Sequence, residues 1–140
     1  TSERLIRKLN EDKKMDMRII SAKDHGESFL MLETSRASAF MMDDALLYGE
    51  MAKAKRPADW VVVGTPQSLE AYGCMMRKDD PEFKALVDST IAGLMQSGEV
   101  KTIYAKWFES PIPPKGLNLE FPLSAEMTKL YANPNDQALQ

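Results

Sequence analysis

Apolar positions along the chain recur with two different periods. The apolar side chains within residues 5–9 are spaced for one face of a helix, whereas the largely apolar runs at 17–21, 37–42 and 60–63 are typical of buried strands. Helical spacing returns in the intervals between these runs. The order β-α-β-α-β predicts an α/β fold in which a parallel sheet is connected by crossover helices.

Capping residues mark where several helices begin and end. Asp24 with Glu27 three residues later has the spacing of a capping box, with Asp in place of the usual Ser or Thr. Asp80 followed by Pro81 predicts the start of a later helix, because proline suits the first helical position. Gly98 suits the left-handed position at that helix's end.

The organisation of the chain changes after Pro66. One short strand is predicted at 72–76, and the pattern beyond it is helical, with segments near 81–97, 100–108 and 124–132. The sequence therefore predicts an α/β part followed by a mainly helical part.

Composition and charge exclude several classes of function. The 140 residues are 44% apolar and 28% charged, as in ordinary globular proteins, and the net charge of -3 includes no basic stripe for nucleic acid. No apolar run approaches the ~18 residues of a membrane span. The chain begins at Thr1, at a predicted helix N-terminus, with no initiator Met and no signal-peptide pattern. We therefore expect a fragment or a processed chain.

Residues that could support catalysis or hold a metal are few. His25 is the single histidine, and the motifs of phosphate loops, CxxC sites, zinc proteases and serine hydrolases are absent. Ser28, His25 and Asp43 have the residue types of a catalytic triad, but many chains contain such a set. The adjacent Asp43 and Asp44 do not suit paired acid–base catalysis, because neighbouring residues at a strand end point in different directions. Cys74, the single cysteine, is predicted to be buried or to pair outside this chain. No catalytic residue, metal or cofactor is predicted.

Three residues are candidates for a binding site at one edge of the predicted sheet. Thr1 offers a hydroxyl beside the free N–H groups of a helix start, and His25 and Asp43 follow the first two strands. An anion site beside a carboxylate matches the polarity of an α-amino acid. Alternatives remain open: Asp43 and Asp44 as helix caps only, His25 as a loop residue, and Thr1 as an accident of where the chain was cut.

The sequence resembles the periplasmic solute-binding proteins of polar amino acid ABC transporters, family 3, over essentially its whole length. The matching segments are 17–26, 39–47, 70–75, 77–81 and 106–108, with the tail 111–115. Within that family, Asp24-His25-Gly26 and Met41-Met42-Asp43-Asp44 resemble the subgroup that binds acidic amino acids.

The resemblance implies a type II periplasmic-binding-protein fold, in which two α/β lobes clamp the ligand. Residues 1–66 would be the second, inserted lobe without its start, with a parallel β-α-β core. Residues 67–140 would be the segment that returns to the first lobe, with a helical C-terminal tail. The N-terminal half of such a protein would then be missing from this chain.

The resemblance also implies a role for each candidate residue. Asp43 would pair with the ligand's α-ammonium, Thr1 would hydrogen-bond the ligand, and His25 would contact its acidic side chain. The arginine that holds the α-carboxylate would belong to the missing lobe. The implied ligand is L-glutamate or L-aspartate, the partners are ABC permease subunits, and the location is the periplasm. The alternatives are a lyase-type enzyme of the same fold and a non-binding truncated domain that associates with itself.

Overall fold

The computed structural model describes residues 2–137, so the prediction for Thr1 lies outside the described residues. The chain divides into two compact units, with the boundary between Val62 and Val63. The assignment of residues 1–66 and 67–140 to parts of two lobes stays a prediction.

Three helices and a short 3-10 turn form the first unit. They are α1 (Ser2–Asp12), α2 (His25–Glu33), α3 (Asp44–Lys53) and the turn Pro57–Asp59. The helices α2 and α3 pack against each other, and the turn packs against α3. Phe29 and Met31 of α2 are buried, and the Phe29 ring meets Trp60 edge to face at a centroid distance of 5.4 Å. Because these two residues lie two positions apart, they point to different sides of α2, and this helix is covered on more than one side.

Three helices form the second unit, and the first of them begins and ends at the predicted capping residues. They are α4 (Pro81–Ser97), α5 (Glu99–Phe108) and α6 (Ala125–Ala132). The Asp80 carboxylate accepts a hydrogen bond from the Phe83 N–H at 3.1 Å, and Gly98 has φ = +81°. Both predictions are confirmed. Within residues 2–137, no helix combines the length and apolar character of a membrane span.

The second unit packs α4 against both α5 and α6. Tyr104 stacks on Phe108 at a centroid distance of 4.5 Å, and Phe121 lies beside both rings. Tyr131 of α6 is buried. An aromatic cluster thus holds the C-terminal segment on α5.

The predicted parallel sheet is not formed among the described residues. The segments 17–21, 37–42, 60–63 and 72–76 contain no strand, and the one bridge in residues 2–137 joins Ile112 and Leu117 in antiparallel sense. The structure therefore does not show the predicted strands, whereas it confirms the helices predicted between them.

At Met17, local hydrogen bonds occupy the backbone groups that a strand would use. The Asn10 side chain binds both backbone groups of Met17, accepting from its N–H at 2.9 Å and donating to its C=O at 3.1 Å. A parallel strand instead needs a partner brought from far along the chain, whereas helices satisfy their own backbone groups locally. Val61 and Val63 are 76% and 79% exposed, which leaves the apolar run at 60–63 without the cover that a buried strand requires.

Cys74 is likewise exposed, so the expectation that it is buried is wrong.

Candidate functional site

The segments that lead into α2 and α3 meet at the first turn of α1. The Ser21 hydroxyl donates to Glu3 Oε1 at 2.7 Å. The Ser2 hydroxyl contacts Met42 Sδ at 3.9 Å. Two chain segments that are distant in sequence therefore reach the N-terminal end of one helix. These contacts bring the segments before His25 and Asp43 to α1, whereas the placement of His25, Asp43 and Thr1 at one sheet edge stays a prediction.

Glu3 holds together a small polar cluster at this point. Arg7 Nε donates to the same Glu3 Oε1 at 2.8 Å, and Arg7 Nη2 lies 3.4 Å from the Ser21 hydroxyl oxygen. The Ser21 hydrogen bond, followed by the one from Arg7, lowers the pKa of the Glu3 carboxyl below its ordinary value. The i,i+4 spacing of Glu3 and Arg7 is a readable helix-pair signal, but no sequence pattern pointed to Ser21.

His25 is the first residue of α2, and its side chain is exposed. The turn around it is built by the predicted capping box. Asp24 Oδ1 accepts from the Glu27 N–H at 2.8 Å, and Glu27 Oε2 accepts from the Lys23 N–H at 3.0 Å. The box is confirmed, although the returning bond goes to Lys23 and not to Asp24 itself. The imidazole thus projects from a turn whose backbone is fixed by hydrogen bonds.

Asp43 and Asp44 occupy different environments at the start of α3. Asp43 is half-buried at the N-cap, and its C=O accepts hydrogen bonds from the N–H groups of Leu46 and Leu47 at 3.1 and 3.0 Å. Asp44 is exposed, and its Oδ1 accepts from the Ala45 N–H at 2.8 Å. The positive end of the α3 dipole attracts negative charge at either position.

The arrangement offers a carboxylate and helix N–H groups in one region. Within residues 2–137, no group of three or more His, Cys, Asp or Glu side chains is placed to hold a metal ion. The Asp43 carboxylate suits a cationic group, whereas the start of α1 suits an anionic one. Thr1, the third predicted residue, lies outside the described residues, next to Ser2.

The chain is similar to several known solute-binding proteins. The chain is 68% identical over 140 residues to the L-glutamate/L-aspartate-binding protein of Pseudomonas aeruginosa, covering 100% of this chain and 46% of that protein. It is 65% identical over 139 residues to the glutamate/aspartate import solute-binding protein of Escherichia coli. That match covers 99% of this chain and 46% of that protein. The ABC transporter glutamine-binding protein of Bacillus subtilis is 24% identical over 98 residues. That match covers 70% of this chain and 35% of that protein.

The chain thus spans about half the length of the curated relatives that it matches most fully. A family model matches the chain from residue 4 to residue 110. That range includes α1 from its first turn, the start of α2 with His25, and the start of α3 with Asp43. On this match, the chain belongs to the bacterial extracellular solute-binding proteins, family 3.

Proposed function

We propose that this protein is the ligand-binding component of an ABC importer for acidic amino acids, with L-glutamate or L-aspartate as its ligand and the periplasm as its location. The observation that carries the proposal is the meeting of the segments before His25 and Asp43 at the first turn of α1. The Pseudomonas and Escherichia relatives, a glutamate/aspartate-binding protein and a glutamate/aspartate import solute-binding protein, support it.

Each residue has a distinct part in the proposed binding. Asp43 pairs with the ligand's α-ammonium at the start of α3, where its charge is favoured. His25 donates a hydrogen bond to the side-chain carboxylate, and the Thr1 hydroxyl bonds the ligand beside α1. Closure of a second lobe over the ligand would be a hinge-type change driven by the ligand's higher affinity for the closed state. The closed form would then be presented to membrane permease subunits.

The parallel β core stays part of the proposal. Membership of family 3 implies a type II periplasmic-binding fold. The segments 17–21, 37–42 and 60–63 would supply its strands once a covering partner removes their apolar side chains from water. The proposal is for a binding protein and not an enzyme, and its support is that the relatives at 65–68% identity are solute-binding proteins.

A chimera tests the proposal directly. This chain replaces the matching 46% of the Escherichia coli relative, and the product is titrated calorimetrically with glutamate, aspartate and glutamine. We expect micromolar or tighter binding of glutamate or aspartate, at least tenfold stronger than that of glutamine, which lacks the side-chain charge. The control is the same chimera carrying Thr102→Lys, an exposed position of α5 in the second unit, which should leave the binding unchanged. Heat with another amino acid and none with the acidic pair would contradict the proposal.

A second candidate concerns the 140-residue chain by itself, for which we propose self-association. Its support is an open apolar cleft of about 400 Å³ in the second unit. The cleft is lined by Val100, Ile103, Tyr104, Trp107, Phe108 and Tyr131. Trp107 is 46% exposed there, and large uncovered apolar surfaces favour association.

Light scattering of the isolated chain at increasing concentration tests this candidate. We expect a mass above that of the monomer, and we expect Trp107→Lys to shift it back toward the monomer because the added charge would have to be desolvated. Thr102→Lys adds the same charge at an exposed polar position of α5 and should leave the association unchanged. A monomer at every concentration would rule the candidate out.

A further inference from the structure

We propose that the Ser21–Glu3 hydrogen bond is a positioning contact that fixes His25 relative to the start of α1 and thereby sets the preference for an acidic ligand side chain. The inference rests on the proposed function, because it assigns His25 to the ligand's side-chain carboxylate. Ser21 and Glu3 do not touch the ligand in this proposal. They act through the turn that carries the imidazole.

The turn before α2 is held at both ends. On one side, the Ser21 hydroxyl donates to Glu3 Oε1 at 2.7 Å, a contact between residues 18 apart in the chain. On the other side, the capping box joins Lys23, Asp24 and Glu27. The box fixes the local shape of the turn, but it does not determine where the turn lies relative to α1. The Ser21 contact supplies that second constraint.

The chemistry of the pair suits a positioning role. The acceptor is a charged carboxylate, and hydrogen bonds to charged groups are stronger than neutral ones. Arg7 donates to the same Glu3 oxygen at 2.8 Å, which restrains the carboxylate from the α1 side. The side chains of Arg7 and Glu3 are about half exposed, so the ion pair contributes little to stability by itself. Loss of the Ser21 contact should therefore affect the location of the turn more than the folding of the unit.

The first experiment needs no ligand, because His25 is the single histidine of the chain. The imidazole C–H resonances of the 140-residue chain therefore report on one side chain. We expect Ser21→Ala and Glu3→Ala to shift these resonances in the same direction, and Glu3→Gln, which keeps an oxygen acceptor, to restore most of the original position. Asp59→Ala removes a comparable exposed ion pair, that with Arg56, and should leave the resonances in place. Unchanged His25 resonances in Ser21→Ala would overturn the inference.

The second experiment measures binding in the chimera. We expect Ser21→Ala to weaken glutamate binding about three- to tenfold and to change glutamine binding less, with no further loss when it is added to His25→Ala. An equal loss in the His25→Ala background would mean that Ser21 acts only on folding, and the inference would fail. A chimera that binds acidic amino acids while Ser21→Ala has no effect refutes the inference alone. A chimera that binds neither glutamate nor aspartate refutes the proposed function. The resonance experiment then still decides whether Ser21 positions His25.

Discussion

Replacement of Asp43 by Asn in the chimera is expected to weaken glutamate and aspartate binding by about 100-fold, equivalent to about 2.7 kcal/mol. The substitution keeps the shape of the side chain and removes the charge that would pair with the ligand's ammonium. The ammonium would then face the positive end of the α3 dipole without compensation. Asn is as good a helix N-cap as Asp, so the helix itself should be unaffected. Calorimetric titration gives the loss, and circular dichroism checks the fold.

Asp44→Asn is the matched control for this prediction. It removes the same charge one residue later, at an exposed position where the carboxylate accepts a hydrogen bond from the Ala45 N–H. Its effect on affinity should stay within about threefold, because water and salt screen the interaction of an exposed charge with the ligand. Equal losses for the two variants would mean that Asp43 contributes general negative potential and not a direct pairing. A larger loss for Asp44→Asn would reverse the assignment of the ammonium partner.

The helices could be predicted because their signals are local. Asp24, Asp80 and Ser124 each accept a hydrogen bond from the N–H three residues later, as their spacing indicates. Gly98 ends α4 because a left-handed residue is needed there, and glycine adopts that conformation without a steric penalty. A capping residue and its partner lie within one turn of each other, so nothing beyond that turn has to be known.

The sheet could not be predicted reliably, because its signals depend on what covers the apolar runs. The residues at 37–42 and 60–63 have the composition of buried strands, but composition does not specify a partner. In the structure, the Met17 N–H donates to the Asn10 side chain and the Met17 C=O accepts from it, and Val61 and Val63 face solvent. Such a competition between a local side chain and a distant strand is decided by contacts far apart in sequence.

The candidate site could be predicted in part, less fully than the helices and better than the sheet. Its individual residues, His25 and Asp43, stood out because each begins a helix after an apolar run. Their association with α1 rests on Ser2 and Ser21, whose hydroxyls contact Met42 and Glu3. Serines at such positions are common and carry no distinguishing pattern. Local patterns in the sequence therefore single out His25 and Asp43 as candidates, whereas no pattern marks the two serines that contact α1 and Met42.

Replacement of Phe29 by Ala is expected to lower the free energy of unfolding of the first unit by about 3 kcal/mol. Phe29 is 8% exposed and meets Trp60 edge to face, and it is one of two buried residues described in this unit. A loss of this size is a large fraction of the stability of an ordinary domain. Urea denaturation followed by far-ultraviolet circular dichroism measures it.

Leu30→Ala supplies the matched control, because Leu30 is the next residue of α2 and is 54% exposed. Truncation there removes little buried surface, so we expect a change below about 1 kcal/mol. The contrast also bears on binding, because α2 begins at His25 and Phe29 packs one turn later. If Phe29 holds α2 in place, its loss should shift the His25 imidazole resonances, whereas Leu30→Ala should not. Equal destabilisation by the two variants would mean that the packing against Trp60 does not hold α2 in the folded unit.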